Sequence, residues 1–166
     1  MLLGDYTEIE DWIMKGRVDF GFLRLPTKEP MDTIFLEKDE LLVVLPTNHE
    51  MADKQHIPLS LLAEEPFMLL EKGDKAEISA YLQAHHVQPN VTFTTWDDYA
   101  IMALVEQQLG ISILPQLILK RAPYAIISKS LEIPAYRHIG IGMRNEASIS
   151  IAAATFIEYI KKHVMT

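Results

Sequence analysis

Short apolar runs alternate with amphipathic, capped segments along almost the whole chain, and that alternation limits the folds open to it. Runs at 18–23, 41–45, 67–70, 90–94, 111–114, 125–128 and 136–143 have strand length and composition. Between them, 7–15, 74–85, a segment that opens at Thr95-x-x-Asp98 and stops at Gly110, 115–120 and 148–163 carry apolar residues at helical spacing. Strands alternating with helices predict an α/β fold with a largely parallel sheet and right-handed crossovers. One stretch breaks the rhythm. Residues 33–37 and 41–45 read as two strands joined by a turn at Lys38-Asp39-Glu40, an expected antiparallel excursion, and Pro134 punctuates the chain before its last strand.

In open α/β sheets, ligands sit beyond the carboxyl ends of the strands, beside helix N-termini. Three strand-to-helix junctions here carry capping patterns: residues 5–7 before Thr7-x-x-Glu10, 71–74 before Asp74-x-x-Glu77, and 94–97 before Thr95-x-x-Asp98. Free N–H groups at such ends suit a small anion, although a capping box by itself only sets where a helix begins. Arg24 follows Phe22 and Leu23 at a strand end and precedes Pro26. It is either a bidentate clamp for a carboxylate or a surface arginine on a loop. The Trp96 indole either walls a pocket or packs in the core.

Catalytic patterns are weak. The chain contains no cysteine, so it has no disulfide framework, thiolate metal site or cysteine nucleophile. His85-His86 falls near a helix end, where it complements the dipole, and His49 and His56 sit in a polar loop without a carboxylate at metal-ligand spacing. The adjacent carboxylates Asp97-Asp98 and Glu64-Glu65 point apart on a helix or turn, and no metalloprotease, phosphate-loop or nucleophile-elbow motif occurs. No catalytic residue, metal or cofactor is therefore expected. With 15 Lys+Arg against 23 Asp+Glu, a net charge of −8 argues against nucleic-acid binding by this chain alone. No stretch has the length of a membrane span or the pattern of a signal peptide. Met1-Leu2-Leu3, followed at once by Gly4-Asp5, reads as the tail of a strand.

Val105-Glu106-Gln107-Gln108-Leu109-Gly110-Ile111-Ser112-Ile113-Leu114-Pro115 resembles the V-x-x-G-x-G-I-x-x-L-P segment of the effector-binding domain of LysR-type transcriptional regulators, with Gln108 in place of the first glycine. Gly4-Asp5 through Gly16-Arg17-Val18-Asp19-Phe20-Gly21 is similar to the family's E-G-x-x-x-x-L-x-x-x-L-x-x-G-x-x-D-x-x-I. Residues 41–51 (LLVVLPTNHEM) resemble L-x-x-V-x-P-x-x-H-P-L, with Glu50 where proline is usual. Pro58-Leu59-x-x-Leu62 and Pro66-Phe67 continue the pattern. The order and spacing of these segments, from about Leu3 to the last helix, make the resemblance specific.

The resemblance implies two Rossmann-like α/β lobes of the type II periplasmic-binding-protein kind, joined by two crossover strands, with a small effector in the interlobe cleft. Lobe I would hold 1–41 and 134–166, lobe II 42–133, and the crossovers would lie near Leu41 and Pro134. It implies effector contacts at Thr7, Arg24 and Leu25 in lobe I, and at Leu70, Glu71, Lys72, Gly73, Thr95, Trp96 and Asp97 in lobe II. The effector is expected to be a small anion, with Leu25, Leu70 and Trp96 allowing an aromatic or aliphatic body. It further implies a strand and helix of about 30 residues ahead of Leu3. The expectation is thus a fragment whose lobe I is incomplete, showing a gap, an exposed edge or a strand supplied by another copy. The implied partners are a small-molecule effector, a homodimer or higher homo-oligomer, and DNA only through a helix-turn-helix missing at the N-terminus. No membrane is implied, and the setting is cytoplasmic. A transport-type solute-binding protein on the same lobes is the alternative, and an enzyme on that scaffold a third reading.

Overall fold

Helix α1 (Tyr6–Met14) begins at Asp5, whose carboxylate accepts the Glu8 N–H at 2.8 Å while Glu8 reaches back to the Asp5 N–H at 2.9 Å. The capping box is therefore two residues earlier than Thr7-x-x-Glu10. Glu10 is released from capping and buried instead, accepting the Lys28 and Glu29 N–H groups at 2.9 and 3.1 Å. The computed structural model describes residues 1–71 and 77–163. The expected cap at Asp74, with Lys72, Gly73 and Val164, lies outside the described residues.

After α1 come β1 (Phe20–Leu25), β2 (Asp32–Pro46), β3 (His56–Ile57), α2 (Leu61–Glu64), β4 (Pro66–Leu70) and α3 (Glu77–Ala84). Then follow β5 (Asn90–Thr95), α4 (Asp98–Glu106), β6 (Ile111–Pro115), α5 (Gln116–Leu119), β7 (Ile126–Met143) and α6 (Ile151–His163). Two compact units result: Met1–Lys38 with Arg137–Thr166, and Asp39–Tyr136. The long strands β2 and β7 each run from one unit into the other.

These two strands correct the sequence reading. Residues 32–46 form one continuous strand, not two joined by a turn. Asp39, expected in that turn, is buried in the strand and accepts the Leu117 N–H at 2.9 Å, which holds the start of α5. Likewise β7 passes through Pro134 without a break. In the second unit Ser130 and Leu131 of β7 pair with His56 and Ile57 of β3, so Pro134 lies beyond that ladder. Nor is the sheet largely parallel. β4 runs parallel to β5 and β6, and β3 to β7, but β7 runs antiparallel to β1 and β2 antiparallel to β6. Residues 1–3 form no strand and are exposed.

In the first unit the strand order is β1-β7-β2. Alternation along β1 puts Phe20 and Phe22 on one face and Gly21 and Leu23 on the other. Phe20 packs with the cluster of Ile141, Met143, Ile157 and Ile160, the last two from α6. On the opposite face α1 approaches so closely that a Cβ on Gly21 would fall 2.4 Å from Ile9 Cγ2. In the second unit, β2-β6-β4-β5 is flanked by helices whose apolar faces fill one continuous cluster. It includes Ile57, Leu62, Phe67, Met68, Ile101, Met102 and Ile113. Ser112 is buried in that cluster's sheet because its hydroxyl donates to the Met68 carbonyl at 2.7 Å. Gly110 ends the turn after α4 at φ +151°, where a Cβ would sit 2.3 Å from the Pro66 carbonyl oxygen. Only glycine fits there.

Candidate functional site

The second unit gathers five of the residues implied by resemblance at the carboxyl ends of β4 and β5. Leu70 pairs with Thr95 in the parallel ladder, and the Glu71 N–H continues it by donating to the Thr95 carbonyl at 3.0 Å. Thr95 Oγ1 accepts the Asp97 N–H at 3.2 Å, and Asp97 caps α4 by accepting the Tyr99 and Ala100 N–H groups at 2.9 and 3.3 Å. Leu70 is buried, whereas Trp96 is 78% exposed, so its indole is not a core side chain. Glu71 also accepts the Ser79 hydroxyl at 2.8 Å. Lys72 and Gly73 lie outside the described residues.

In the first unit Thr7 is exposed in the opening turn of α1, and Arg24 and Leu25 are half-buried at the end of β1. Alternation places Leu25 on the face that α1 covers and Arg24 on the other, so Thr7 and Arg24 are not brought onto one face. Leu25 and Pro26, with Pro30, Met31, Phe35 and His138, line an open groove of about 560 Å³. Its loop is held from beneath by the two hydrogen bonds to Glu10. Thr27 Oγ1 adds a third restraint by donating to the Glu29 carbonyl at 2.9 Å. His138 stands opposite Leu25 in the ladder, and its ring lies 5.7 Å from that of Phe35.

Three contributors were not legible locally. Glu10 resembled a capping residue, and only its burial beneath the 26–30 loop shows what it supports. His138 and Arg137 read as ordinary members of the last strand. Arg137 reaches the Tyr6 hydroxyl at the start of α1 in a long 3.5 Å contact. The alternation of Tyr136 to Gly140 marks which of them share a face, but not what they meet.

Electrostatics separates the two clusters. Of the three helix N-termini expected to attract an anion, the two whose caps are described already carry their own carboxylates: Asp5 and Glu8 at α1, Asp97 and Asp98 at α4. Those groups take up several of the orphan donors and oppose a further negative charge. Among the described residues, the cations near the candidate residues come from the first unit, in Arg24, Lys28 and Arg137. Among the described residues no group of three or more His, Cys, Asp or Glu is placed to hold a metal ion. No described helix is long and apolar enough to cross a membrane.

The sequence matches the LysR substrate binding domain family over residues 1–165. It is 32% identical over 161 residues to YybE of Bacillus subtilis, an uncharacterised HTH-type transcriptional regulator, covering 92% of this chain and 54% of that one. The chain spans about half the length of the curated relatives it matches. Its fold superposes on HinK, a LysR family regulator from Pseudomonas aeruginosa, with a TM-score of 0.82 at 20% identity, over 97% of this chain and 58% of that one. The effector binding domain of QuiR, solved with shikimate, matches with a TM-score of 0.76 at 27% identity, over 96% of this chain and 80% of that one.

Proposed function

Because the chain belongs to the LysR substrate-binding domain family, with the type II periplasmic-binding-protein-like fold of its structural neighbours, we propose that it senses a small hydroxylated carboxylate and couples that ligand to transcription control. The observation that carries this reading is the separation of charge between the described residues of the two candidate clusters. Arg24 offers a guanidinium to a carboxylate, while Glu71, Thr95 and Asp97 offer oxygen acceptors to hydroxyls. Shikimate, held by the QuiR domain, has both kinds of group. The family resemblance supports placing the ligand in an interlobe cleft, and supports a cytoplasmic homo-oligomer that reaches DNA through a separate helix-turn-helix. A ligand can bias such an assembly only by its differential affinity for two states.

Thermal-shift titration tests the proposal, with shikimate and a panel of small carboxylates beside uncharged polyols. A carboxylate of the panel should raise the melting midpoint in a concentration-dependent way. Arg24→Ala should weaken that binding by roughly 10- to 100-fold, the value of a charge-assisted hydrogen bond. A carboxylate whose affinity is untouched by Arg24→Ala overturns the assignment of Arg24. Stabilisation by polyols alone overturns the anionic reading.

A further inference from the structure

The groove beside Leu25 is built, not left over. Alternation puts Leu25 of β1, His138 and Gly140 of β7, and Thr33 and Phe35 of β2 on one face of the first unit's sheet. Leu25 and Met31 lie low across the middle of β7 because its residues there are glycines. A Cβ on Gly140 would fall 2.5 Å from Leu25 Cδ1, and one on Gly142 would fall 2.7 Å from Met31 Sδ. The floor is therefore low and apolar. Above it, the Phe35 and His138 rings stand 5.7 Å apart and tilted by 59°. Phe35 is 48% exposed, so its ring is not used up in the core. Pro26 and Pro30 line the groove from the loop between β1 and β2. One oxygen of buried Glu10, Oε2, accepts both the Lys28 and the Glu29 N–H groups and fixes that loop. The recess of about 560 Å³ is thus held in shape by the fold itself.

We propose that this recess is a second small-molecule site, whose ligand is an uncharged planar aromatic of one or two fused rings. Its size fits one such molecule, since ligand pockets run to roughly 300–1,000 Å³, whereas a protein partner covers roughly 800 Å². The exposed Phe35 and His138 rings offer faces and edges to a further ring, over a floor of aliphatic side chains and methionine sulfur. Charge decides the class. The lining carries one lysine and one carboxylate, Lys28 and Glu29, adjacent in the loop, so their formal charges cancel. An ionised ligand would lose hydration here without a net counter-charge. The Thr33 hydroxyl and a His138 ring nitrogen can orient one hydroxyl or N–H on the ring's edge. Of the described candidate residues, Leu25 alone lines the recess, and Arg24 belongs to the opposite face. The proposal therefore does not rest on the carboxylate reading above.

An NMR titration of the full chain tests the proposal, with phenol and indole as one- and two-ring probes beside benzoate and benzylamine as charged counterparts. The expected result is a saturable shift of backbone amides concentrated at residues 25–35 and 138–140 with phenol or indole. Benzoate and benzylamine should bind several-fold more weakly. Phe35→Ala should raise the dissociation constant of the bound probe about tenfold, the value of a lost ring contact with its burial. His138→Ala gives the same readout if Phe35→Ala fails to fold, with circular dichroism as the control. No saturable shift with either uncharged probe overturns the proposal. Shifts centred elsewhere in the chain, or an affinity that neither substitution changes, overturn it too. Tighter binding of benzoate or benzylamine overturns the uncharged assignment.

Discussion

The two units are built from the same kinds of element, yet they bury apolar surface very differently. In the unit of Asp39–Tyr136, 21 described residues form one buried cluster, fed by both faces of the sheet. In the unit of Met1–Lys38 and Arg137–Thr166, the corresponding cluster holds Ile141, Met143, Ile157 and Ile160, with Ile13 and Leu23 buried separately. Large side chains that would extend it are exposed instead: Phe22, Ile151, Phe156 and Tyr159. Burial stabilises by roughly 25 cal/mol per Å² of apolar surface, so the two units are not equally supported from within. The first unit therefore leans on individual polar contacts, such as those of Glu10, for order that the second obtains from packing.

Core truncation should break this comparison most directly. Phe67→Ala, at the centre of the larger cluster, is expected to cost about 3–5 kcal/mol in urea denaturation. Ile157→Ala should cost about 2 kcal/mol, the low end for such a change, because the small cluster around it can collapse. If Ile157→Ala proves the costlier, the first unit is not the weakly packed one.

Glu10→Ala sharpens the contrast at intermediate size. It strands the Lys28 and Glu29 N–H groups, and a loss of roughly 1–3 kcal/mol is expected. Faster amide exchange at those two residues is the specific signature. An unchanged exchange rate there would show that Glu10 does not hold the loop.

The smallest effect belongs to Tyr81, whose hydroxyl donates to the Ile133 carbonyl at 2.6 Å. Burial, and then the Glu132 carboxylate, raise the Tyr81 pKa above its ordinary value of 10.0. A raised pKa means that the folded state favours the protonated phenol. Its contribution is full below pH 10 or so and is lost as pH climbs through the raised value. Tyr81→Phe should cost about 1 kcal/mol at neutral pH, and the gap from the parent should close in strongly alkaline solution. A gap that is constant with pH would remove ionisation from the account.

Much of the fold was legible in the sequence because its signals are local. Phe67, Ile101, Val105 and Ile113 announced strands and helices by spacing, and Gly110 announced the end of α4. The candidate cluster around Leu70, Thr95 and Asp97 was legible only in outline: the strand ends were, but the sequence pattern put the cap at Thr95, whereas Asp97 caps α4. Glu10 and Asp39 defeated local reading. A carboxylate near a helix start or inside a polar triplet looks like a cap or a turn until its acceptor role elsewhere is seen.

By itself, the sequence determined which segments are strands and helices, where glycine must stop them, and which family the pattern resembles. These follow from side-chain periodicity and backbone sterics, which act over a few residues. Only the tertiary structure decided that β2 and β7 run unbroken, that Asp39 and Glu10 are buried, and that Phe22 is not. A buried carboxylate depends on donors supplied by distant chain: Leu117 lies 78 positions beyond Asp39, and Lys28 lies 18 beyond Glu10. An aromatic ring on a strand is covered only if another layer reaches it, and no pattern within β1 specifies whether one does.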